Sequence, residues 1–101
     1  PHYNVMGVAK AALEASVRYL AEDLGKKGIR VNAIGPGTIE TPSRAPFLTN
    51  PAVREVMLKR IPLGRFGQPD EVAGAVRYLV SPAGSYVSGQ TLMLDGALSA
   101  Y

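Results

Sequence analysis

Apolar residues recur at helical spacing through the first quarter of the chain. From Val5 to about Lys26 they form two stripes. This predicts one long helix that is covered on two sides, for example by a sheet and by another subunit. The first stripe comprises Met6, Ala9, Leu13, Val17, Leu20 and Leu24, and the second comprises Val5, Val8, Ala12, Ser16 and Tyr19. Asn4 is predicted to cap the start of this helix, and Gly25 or Gly28 to end it.

Beyond this helix the apolar runs become short. Residues 29–34 are predicted to form a buried β-strand, which the sequence Gly35-Pro36-Gly37 ends. Residues 38–50 contain prolines and threonines without a clear period, so they are predicted to form a loop or lid.

The second half of the chain contains two more predicted helices and a second strand. Asn50-Pro51 is predicted to cap a helix over residues 52–60, and residues 61–68 read as a turn-rich connector. A further helix is predicted over residues 70–80, with its acidic residues in the first turn. Its predicted inward residues are Val72, Ala73, Val76, Leu79 and Val80. Residues 82–89 are predicted to be a loop, and residues 90–94 a strand.

A helix followed by a tight turn and a buried strand is typical of an α/β fold with a parallel sheet. In such sheets ligands bind at the carboxyl ends of the strands, which here means the residues after Ile34. Two strands are too few to form a stable sheet alone. We therefore expect residues 1–101 to be one portion of a larger domain.

The composition indicates a globular protein. Hydrophobic residues make up 47% of the 101 residues and charged residues 19%, and the net charge of +3 is scattered rather than clustered. We therefore expect neither nucleic-acid nor membrane binding. With no cysteine and with His2 as the single histidine, no metal site and no Ser-His-Asp triad is predicted. No apolar run is long enough to span a membrane and no signal peptide is visible, so we expect a cytoplasmic location.

Tyr3 and Lys10 are a candidate ligand-binding pair. Residues seven apart on a helix differ by about 20° in direction and about 10 Å along the axis. The two side chains would therefore face the same way without touching, which suits a ligand held at both ends. The helix dipole disfavours a positive charge near a helix N-terminus. We therefore expect the Lys10 ammonium to interact with some other group, such as a ligand. The alternatives are a lysine with an apolar stem and a solvated head, and a tyrosine that packs at the helix entrance.

Several segments together resemble a known family. YNVMGVAKAALEASVRYLAEDLG, IRVNAI, PGTIET, IPLGRFGQPDEVAGAVRYLVSP and SGQTLMLDG occur in the order found in the second half of short-chain dehydrogenases/reductases. The resemblance implies an α/β fold, with residues 1–101 as the C-terminal part of a single Rossmann-type domain that has a doubly wound parallel sheet. The N-terminal dinucleotide-binding half would be absent from this chain.

The sequence combines features of two branches of this family. Most members place the catalytic tyrosine four residues before the lysine, and that position is Met6 here. Tyr3, seven residues before Lys10, resembles the enoyl-acyl-carrier-protein reductases of fatty acid synthesis instead. Pro36 and the segment IPLGRFGQPDEV look more like the ketoreductase and alcohol dehydrogenase branch, and Asp95-Gly96-Ala97 departs from the commoner D-G-G.

The resemblance also implies roles for individual residues. Lys10 would bind the ribose hydroxyls of a nicotinamide cofactor, NAD(H) or NADP(H), and its charge would favour the ionised form of the tyrosine. Tyr3 would donate a hydrogen bond to the substrate carbonyl as an enolate oxygen develops. Gly37, Ile39 and Thr41 would line the nicotinamide, with Ile39 offering its backbone to the carboxamide. Apolar residues of the lid could either line an acyl pocket or simply pack the lid: Phe47, Leu48, Val56 and Met57.

Three functions remain open on the sequence. The first is NAD(P)H-dependent reduction of an enoyl thioester, and the second is interconversion of a keto and a hydroxy group. The third is a non-catalytic piece that only supplies an oligomer interface, since no phosphate-binding glycine loop is present. The expected partners are a small-molecule or acyl-carrier-protein-bound substrate and further copies of the chain, as a dimer or homotetramer.

Overall fold

The computed structural model describes residues 3–100 and shows an α/β fold. Its elements, in chain order, are α1 (Asn4–Gly25), β1 (Ala33–Pro36), a 3₁₀ turn (Pro42–Arg44), α2 (Ala45–Leu48), α3 (Pro51–Lys59), α4 (Pro69–Val80), a second 3₁₀ turn (Pro82–Gly84) and β2 (Thr91–Leu94). The described chain falls into two compact units. The first comprises residues 3–33 and Tyr78–Leu92, and the second comprises Ile34–Arg77 and residues 93–100.

Helix α1 confirms the predicted long helix but begins one residue early. Tyr3, not Asn4, occupies the N-cap position, and no side chain caps the helix there. Within the described chain only Val17 of the two apolar stripes is buried, with 7% of its surface exposed. Most of both stripes is exposed here, so the predicted cover on two sides stays a prediction.

The two strands form a parallel ladder. In the first unit the Ala33 N–H donates to the Gln90 carbonyl at 2.8 Å, and in the second the Gly37 N–H donates to the Leu94 carbonyl at 3.0 Å. Both residue numbers rise by four between these bonds, as they do only when paired strands run in the same direction. Strand β2 confirms the predicted second strand to within one residue.

The predicted limits of the first strand were wrong. Strand β1 starts at Ala33 and includes Gly35 and Pro36, which were predicted to end it. The two residues just before it make one backbone hydrogen bond within the described chain, from the Gly89 N–H to the Val31 carbonyl at 2.7 Å, and otherwise bond through side chains. The Val31 N–H donates to the Ser88 hydroxyl at 3.2 Å, and the Asn32 amide donates to the Val87 carbonyl at 2.8 Å. The hydrophobic residues of this segment indicate burial, but the limits of a strand depend on where the backbone of the partner strand pairs with it.

The predicted loop over residues 38–50 is partly helical, because it contains the 3₁₀ turn Pro42–Arg44 and the short helix α2. Each starts near a proline, whose fixed backbone angle favours a helical turn. The helix that follows, α3, agrees with the prediction. The Asn50 side chain accepts from the N–H groups of Ala52 and Val53 at 3.1 and 3.4 Å, as an N-cap should.

The core of the second unit forms around the connector between α3 and α4. Ile61 and Phe66 lie in this connector and are 5% and 3% exposed, and Leu48 of α2 completes the cluster. Met57 and Leu58 of α3 pack against them. Residues 61–68, predicted only as a turn-rich connector, therefore supply much of the apolar core of this unit.

Helix α4 matches its predicted limits and part of its predicted inward face. Ala75 and Leu79 are buried, whereas Ala73, Val76 and Val80 are exposed in the described chain. Positions 75 and 79 share one stripe, and each exposed valine lies one residue further along, about 100° around the helix. The predicted inward position of Leu79 is thus confirmed and Val72 is partly buried, whereas Ala75 is covered in place of Val76.

Two phenylalanines test the importance of the connector core. Replacing Phe66 by Ala should lower the free energy of unfolding by about 3–5 kcal/mol, because it leaves a cavity among buried neighbours. The same substitution at Phe47, which is 65% exposed, should change it by less than about 1 kcal/mol. Urea denaturation of both variants measures the difference, and equal losses would show that residues 61–68 do not build the core.

Candidate functional site

The predicted catalytic pair lies at the start of α1 in the first unit. Tyr3 is 67% exposed, and its ring lies along the first turn, with Cδ1 3.9 Å from the point where a Cβ on Gly7 would sit. Lys10 is exposed as well. Within residues 3–100 neither the phenol nor the ammonium group takes part in a hydrogen bond or an ion pair. Both groups are therefore available to a ligand.

The predicted cofactor residues Gly37, Ile39 and Thr41 belong to the second unit and follow strand β1 directly. This agrees with the expectation that ligand-binding residues follow the carboxyl end of a parallel strand. Within the second unit, each of the three residues has a distinct structural role.

Glycine is required at position 37 because the backbone there packs closely against Asp95. A Cβ on Gly37 would lie 2.7 Å from the Asp95 Cα and 2.8 Å from its Cβ, closer than such atoms can approach. The two backbones meet where the Gly37 N–H donates to the Leu94 carbonyl. This packing is a reason for glycine at position 37 that does not depend on a cofactor, and the role of Gly37 beside the nicotinamide stays a prediction.

Ile39 forms an isolated parallel bridge with Gly67. The Gly67 N–H donates to the Thr38 carbonyl, and the Glu40 N–H donates to the Gly67 carbonyl, each at 2.9 Å. The bridge therefore uses the backbone groups on either side of Ile39 and leaves its own N–H and C=O on the opposite edge. No hydrogen bond among the described residues uses those two groups, which is compatible with the backbone role predicted for Ile39.

Thr41 lies at the start of the first 3₁₀ turn. Its hydroxyl is 3.0 Å from the Ser43 hydroxyl, and either group can donate. Its carbonyl accepts from the N–H groups of Arg44 and Ala45. The turn fixes the backbone of Thr41, and its hydroxyl can donate to or accept from a further partner.

Glu40 is a residue of this segment that sequence reasoning missed. Its carboxylate accepts from the Arg54 guanidinium at 3.1 Å and from the Gln68 side-chain amide at 2.7 Å. The Gln68 hydrogen bond, followed by Arg54, lowers the pKa of Glu40. The Arg54 guanidinium also lies over the Phe66 ring, 4.9 Å from its centroid. Two motifs noted in the sequence, PGTIET and IPLGRFGQPDEV, contain Glu40 and Gln68, but nothing in either pattern pairs them.

A second charged group stabilises the start of α4. The Arg65 guanidinium donates to both carboxylate oxygens of Glu71, at 2.9 and 2.7 Å. The Gln68 N–H donates to the same carboxylate at 2.8 Å, which is half of a capping box at the helix N-terminus. The Arg65 hydrogen bond, followed by the Gln68 N–H, lowers the pKa of Glu71 to about 2.

Two open cavities lie within the second unit. One, of about 330 Å³, adjoins Thr41 and is lined by Glu40, Thr41, Pro42, Ala45, Leu48, Thr49 and Arg54. The other, of about 320 Å³, includes Ile39 and is otherwise lined mainly by the connector, α4 and the segment after β2. The charged groups that line them are paired or hydrogen-bonded within the unit, so both cavities offer mixed apolar and polar walls.

The turn after β2 explains the preference for glycine in the commoner D-G-G pattern. Gly96 and Ala97 both have positive φ angles, 63° and 72°. A non-glycine residue such as Ala97 adopts this conformation at a cost of about 1 kcal/mol. The Asp95 carboxylate stabilises the turn by accepting from the Ala97 and Ser99 N–H groups at 3.0 and 2.9 Å. Hydrogen bonding to Ser99 is the main cause that lowers the pKa of Asp95.

The four apolar lid residues divide into two pairs. Leu48 is buried in the connector core and Met57 packs against it, so these two serve the packing of the lid. Phe47 and Val56 are exposed in the described chain and are the pair that remains for an apolar substrate.

No group of three or more histidine, cysteine, aspartate or glutamate side chains within residues 3–100 could hold a metal ion. In the same range, no helix combines the length and the apolar character that crossing a membrane requires.

Comparison with known proteins connects these features to a family. Residues 1–99 match a family sequence model described as Enoyl-(Acyl carrier protein) reductase. A tropinone reductase homolog of Arabidopsis thaliana is 44% identical over 96 residues, which cover 95% of this chain and 37% of that protein. An enoyl-acyl-carrier-protein reductase (NADH) of Rhizobium meliloti is 48% identical over 95 residues, which cover 94% of this chain and 35% of that protein.

A solved structure is similar to this chain as well. The structure of 4-hydroxyisoleucine dehydrogenase complexed with NADH superposes with a TM-score of 0.90 at 29% identity, covering 93% of this chain and 39% of that one. The chain therefore spans little more than a third of the length of the proteins it matches.

The packing of Gly37 predicts a loss of stability that does not depend on any cofactor. Gly37→Ala should lower the free energy of unfolding by about 1–3 kcal/mol, because the added methyl group overlaps the Asp95 backbone. Gly74→Ala is the control, since its Cβ would meet only Arg77, at 3.8 Å, within helix α4. That variant should be neutral or more stable by up to about 1 kcal/mol. Urea denaturation without cofactor measures both, and an unaffected Gly37→Ala variant would contradict the packing role.

The pair formed by Arg65 and Glu71 predicts a pH dependence. Because the folded pKa of Glu71 is about 2, below its usual 4.5, the pair should contribute fully above about pH 4.5 and lose its contribution as the pH falls towards 2. Glu71→Gln should therefore shift the urea midpoint downward at pH 7 and much less at pH 2.5. The side chains are half-exposed, so the shift should be small.

Glu55→Gln, which removes a surface pair with Lys59 on α3, is the matched control. It should cost less than Glu71→Gln at pH 7, since only the Glu71 carboxylate is also bonded by a backbone N–H. Equal effects of Glu71→Gln at both pH values would show that the pair does not stabilise the fold.

Proposed function

Because the chain belongs to the short-chain dehydrogenase/reductase family, we propose that the complete protein is an NAD(P)H-dependent oxidoreductase that reduces an enoyl thioester. The observation that carries the proposal is the interval of seven residues between Tyr3 and Lys10, with Met6 at the position four before the lysine. A thioether can only accept a weak hydrogen bond, so Met6 cannot serve as the proton donor. The description of the matching family model supports the same reaction.

The residues after β1 fit a nicotinamide. Its carboxamide has both a donor and an acceptor, and Ile39 presents a backbone N–H and C=O that no described hydrogen bond uses. The Thr41 hydroxyl can donate or accept beside them. Gly37 fixes the start of this segment through its packing on Asp95. In the complete protein, Lys10 would bind the ribose hydroxyls, for which an exposed ammonium with three donors is suited.

The chain's own residues then act on the substrate. In the complete protein, a reduced nicotinamide held by these residues would supply the hydride that adds to the unsaturated carbon chain. The Tyr3 hydroxyl donates a hydrogen bond to the thioester carbonyl and stabilises the negative charge that develops on that oxygen. The Lys10 ammonium stabilises the same charge at longer range. The exposed side chains of Phe47 and Val56 are the candidates for contact with an acyl chain.

A second candidate function is reduction of a ketone or oxidation of an alcohol. It is favoured by relatives named as a tropinone reductase homolog and as 4-hydroxyisoleucine dehydrogenase. The segments PGTIET and IPLGRFGQPDEV support it as well. In this case Tyr3 would donate its proton to a ketone oxygen from a position three residues earlier than most of the family uses. Activity on acetoacetyl thioester but not on crotonyl thioester would select this function.

Assembly and location complete the proposal. We propose that the protein acts in the cytoplasm as a homo-oligomer, a dimer or tetramer, on a small-molecule or acyl-carrier-protein-bound substrate. The exposed apolar stripes of α1 support an interface between copies, although Val17 is buried within the described chain and is not available to it. A non-catalytic role as an oligomerisation piece is the remaining alternative, and cofactor titration of the complete protein separates it from the enzymes.

Three substitutions test the catalytic assignment in the complete protein. Tyr3→Phe removes only the hydroxyl and should lower kcat with crotonyl thioester by about 10²-fold or more. Lys10→Ala should also weaken cofactor binding, because it removes the ribose contacts and the charge. Met6→Leu, the control, conserves volume and should be nearly silent.

Steady-state kinetics with crotonyl and acetoacetyl thioesters, using NADH and NADPH in turn, measure these effects. Full activity of Tyr3→Phe on the enoyl substrate would overturn the role of Tyr3 and, with it, the preference for enoyl reduction. A wild-type protein that binds neither dinucleotide would favour the non-catalytic alternative.

A further inference from the structure

We infer that Glu40 is a positioning residue whose carboxylate holds residues 39–41 in the conformation that binds the cofactor. It does so through a group that we name the Glu40 clamp: Glu40, Arg54, Phe66 and Gln68. The inference rests on the proposed function, because the value of holding this segment lies in the cofactor contacts of Ile39 and Thr41. All members of the clamp lie in the second unit.

The backbone alone holds the segment weakly. The bridge between Ile39 and Gly67 consists of two hydrogen bonds and is isolated from the β1–β2 sheet. Short strand pairs of this kind are marginally stable in water. Because the bridge uses the N–H of Glu40, it also determines which edge the Ile39 N–H and C=O face. Loss of the bridge would therefore misdirect the two groups proposed to bind the carboxamide.

The side chain of Glu40 adds two ties to other segments. One carboxylate oxygen accepts from Arg54 of α3 at 3.1 Å, and the other accepts from Gln68, directly before α4, at 2.7 Å. Hydrogen bonds to an ionised carboxylate are stronger than those between neutral groups. A glutamate side chain is ionised at neutral pH, and the hydrogen bonds from Gln68 and Arg54 lower the pKa of Glu40 further, so both ties involve a charged carboxylate at neutral pH.

Arg54 is itself anchored to the core. Its guanidinium lies 4.9 Å from the centroid of Phe66, a ring that is only 3% exposed. The face of an aromatic ring attracts a cation, so the ring fixes the guanidinium against a buried surface. The clamp thus runs from the cofactor segment through Glu40 and Arg54 to the connector core, and a second branch runs through Gln68.

The exposure of the clamp sets the kind of effect to expect. The side chains of Glu40 and Arg54 are 36% and 44% exposed, so solvent screens their attraction and its contribution to global stability is small. The local order of residues 39–41 differs from global stability, because it depends on only a few hydrogen bonds. A positioning role therefore predicts weaker cofactor binding at nearly unchanged thermal stability.

The test uses Glu40→Ala and Glu40→Gln in the complete protein. Glu40→Ala should raise the Kd for NADH or NADPH about tenfold, as the loss of positioning groups does. The Tm without cofactor should stay nearly unchanged. Glu40→Gln keeps an acceptor for Arg54 and should restore part of the affinity. Arg54→Ala removes one of the two ties and should weaken binding less than Glu40→Ala. The double variant should weaken binding about as much as Glu40→Ala alone, because Arg54 acts through Glu40.

A readout without cofactor separates this inference from the proposed function. Hydrogen exchange of the Gly67 amide, which donates to the Thr38 carbonyl, should accelerate in Glu40→Ala. Glu55→Ala, which removes a solvated pair with Lys59 on α3, should change neither exchange nor affinity.

Unchanged exchange at Gly67 in Glu40→Ala would overturn the clamp whether or not a dinucleotide binds. Faster exchange with unchanged affinity would overturn its role in cofactor binding. If the wild-type protein binds neither dinucleotide, the proposed function fails and the cofactor role of the clamp fails with it.

Discussion

The short bridge between Gly67 and residues 38–40 is the contact on which much of the second unit depends. A Cβ at position 67 would lie 2.6 Å from the Ile39 Cδ1, so a larger residue there would displace the end of the Ile39 side chain. On one side of Gly67 the connector places Phe66 in the core, and on the other it places Gln68 beside Glu40. A single close backbone approach therefore aligns an apolar core, a charged clamp and the start of α4.

Charge in this unit is used locally and in pairs. Arg54 pairs with Glu40, and Arg65 pairs with Glu71. The first pair links α3 to the segment after β1, and the second links the connector to α4. In each pair the carboxylate also accepts a hydrogen bond from Gln68, from its backbone N–H for Glu71 and from its side-chain amide for Glu40. Because these pairs are half-exposed, they add little to global stability, but they restrict which orientations of the connector are allowed. Apolar packing therefore supplies most of the free energy of folding in this unit, and the ion pairs mainly restrict the orientation of the connector.

The first unit presents the opposite situation, because α1 buries little of its apolar surface within the described chain. Val17 is covered, while neighbouring large residues such as Val8, Leu13 and Tyr19 are exposed. The chain corresponds to little more than a third of its relatives, whose remaining length is available to cover such surfaces. The proposed site residues Tyr3 and Lys10 lie on this same helix, so their environment in the complete protein depends on what covers it.

The sequence by itself determined the elements whose signals are local. The long helix α1, the capped helix α3 with Asn50 before Pro51, the helix α4 with acids in its first turn, and the strand β2 all follow from periodicity and capping chemistry. The order of its motifs also identified the family, and the interval between Tyr3 and Lys10 can be read directly from the sequence. These features need only residues within a few turns of one another.

Only the tertiary structure decided the features that join distant residues. The limits of β1 depend on its partner strand, and the requirement for Gly37 comes from Asp95 on a segment far along the chain. Glu40 meets Arg54 and Gln68 across separations of 14 and 28 residues, which no local pattern encodes. The physical reason is the same in each case: a backbone approach or a hydrogen bond between remote segments depends on the packing of everything between them.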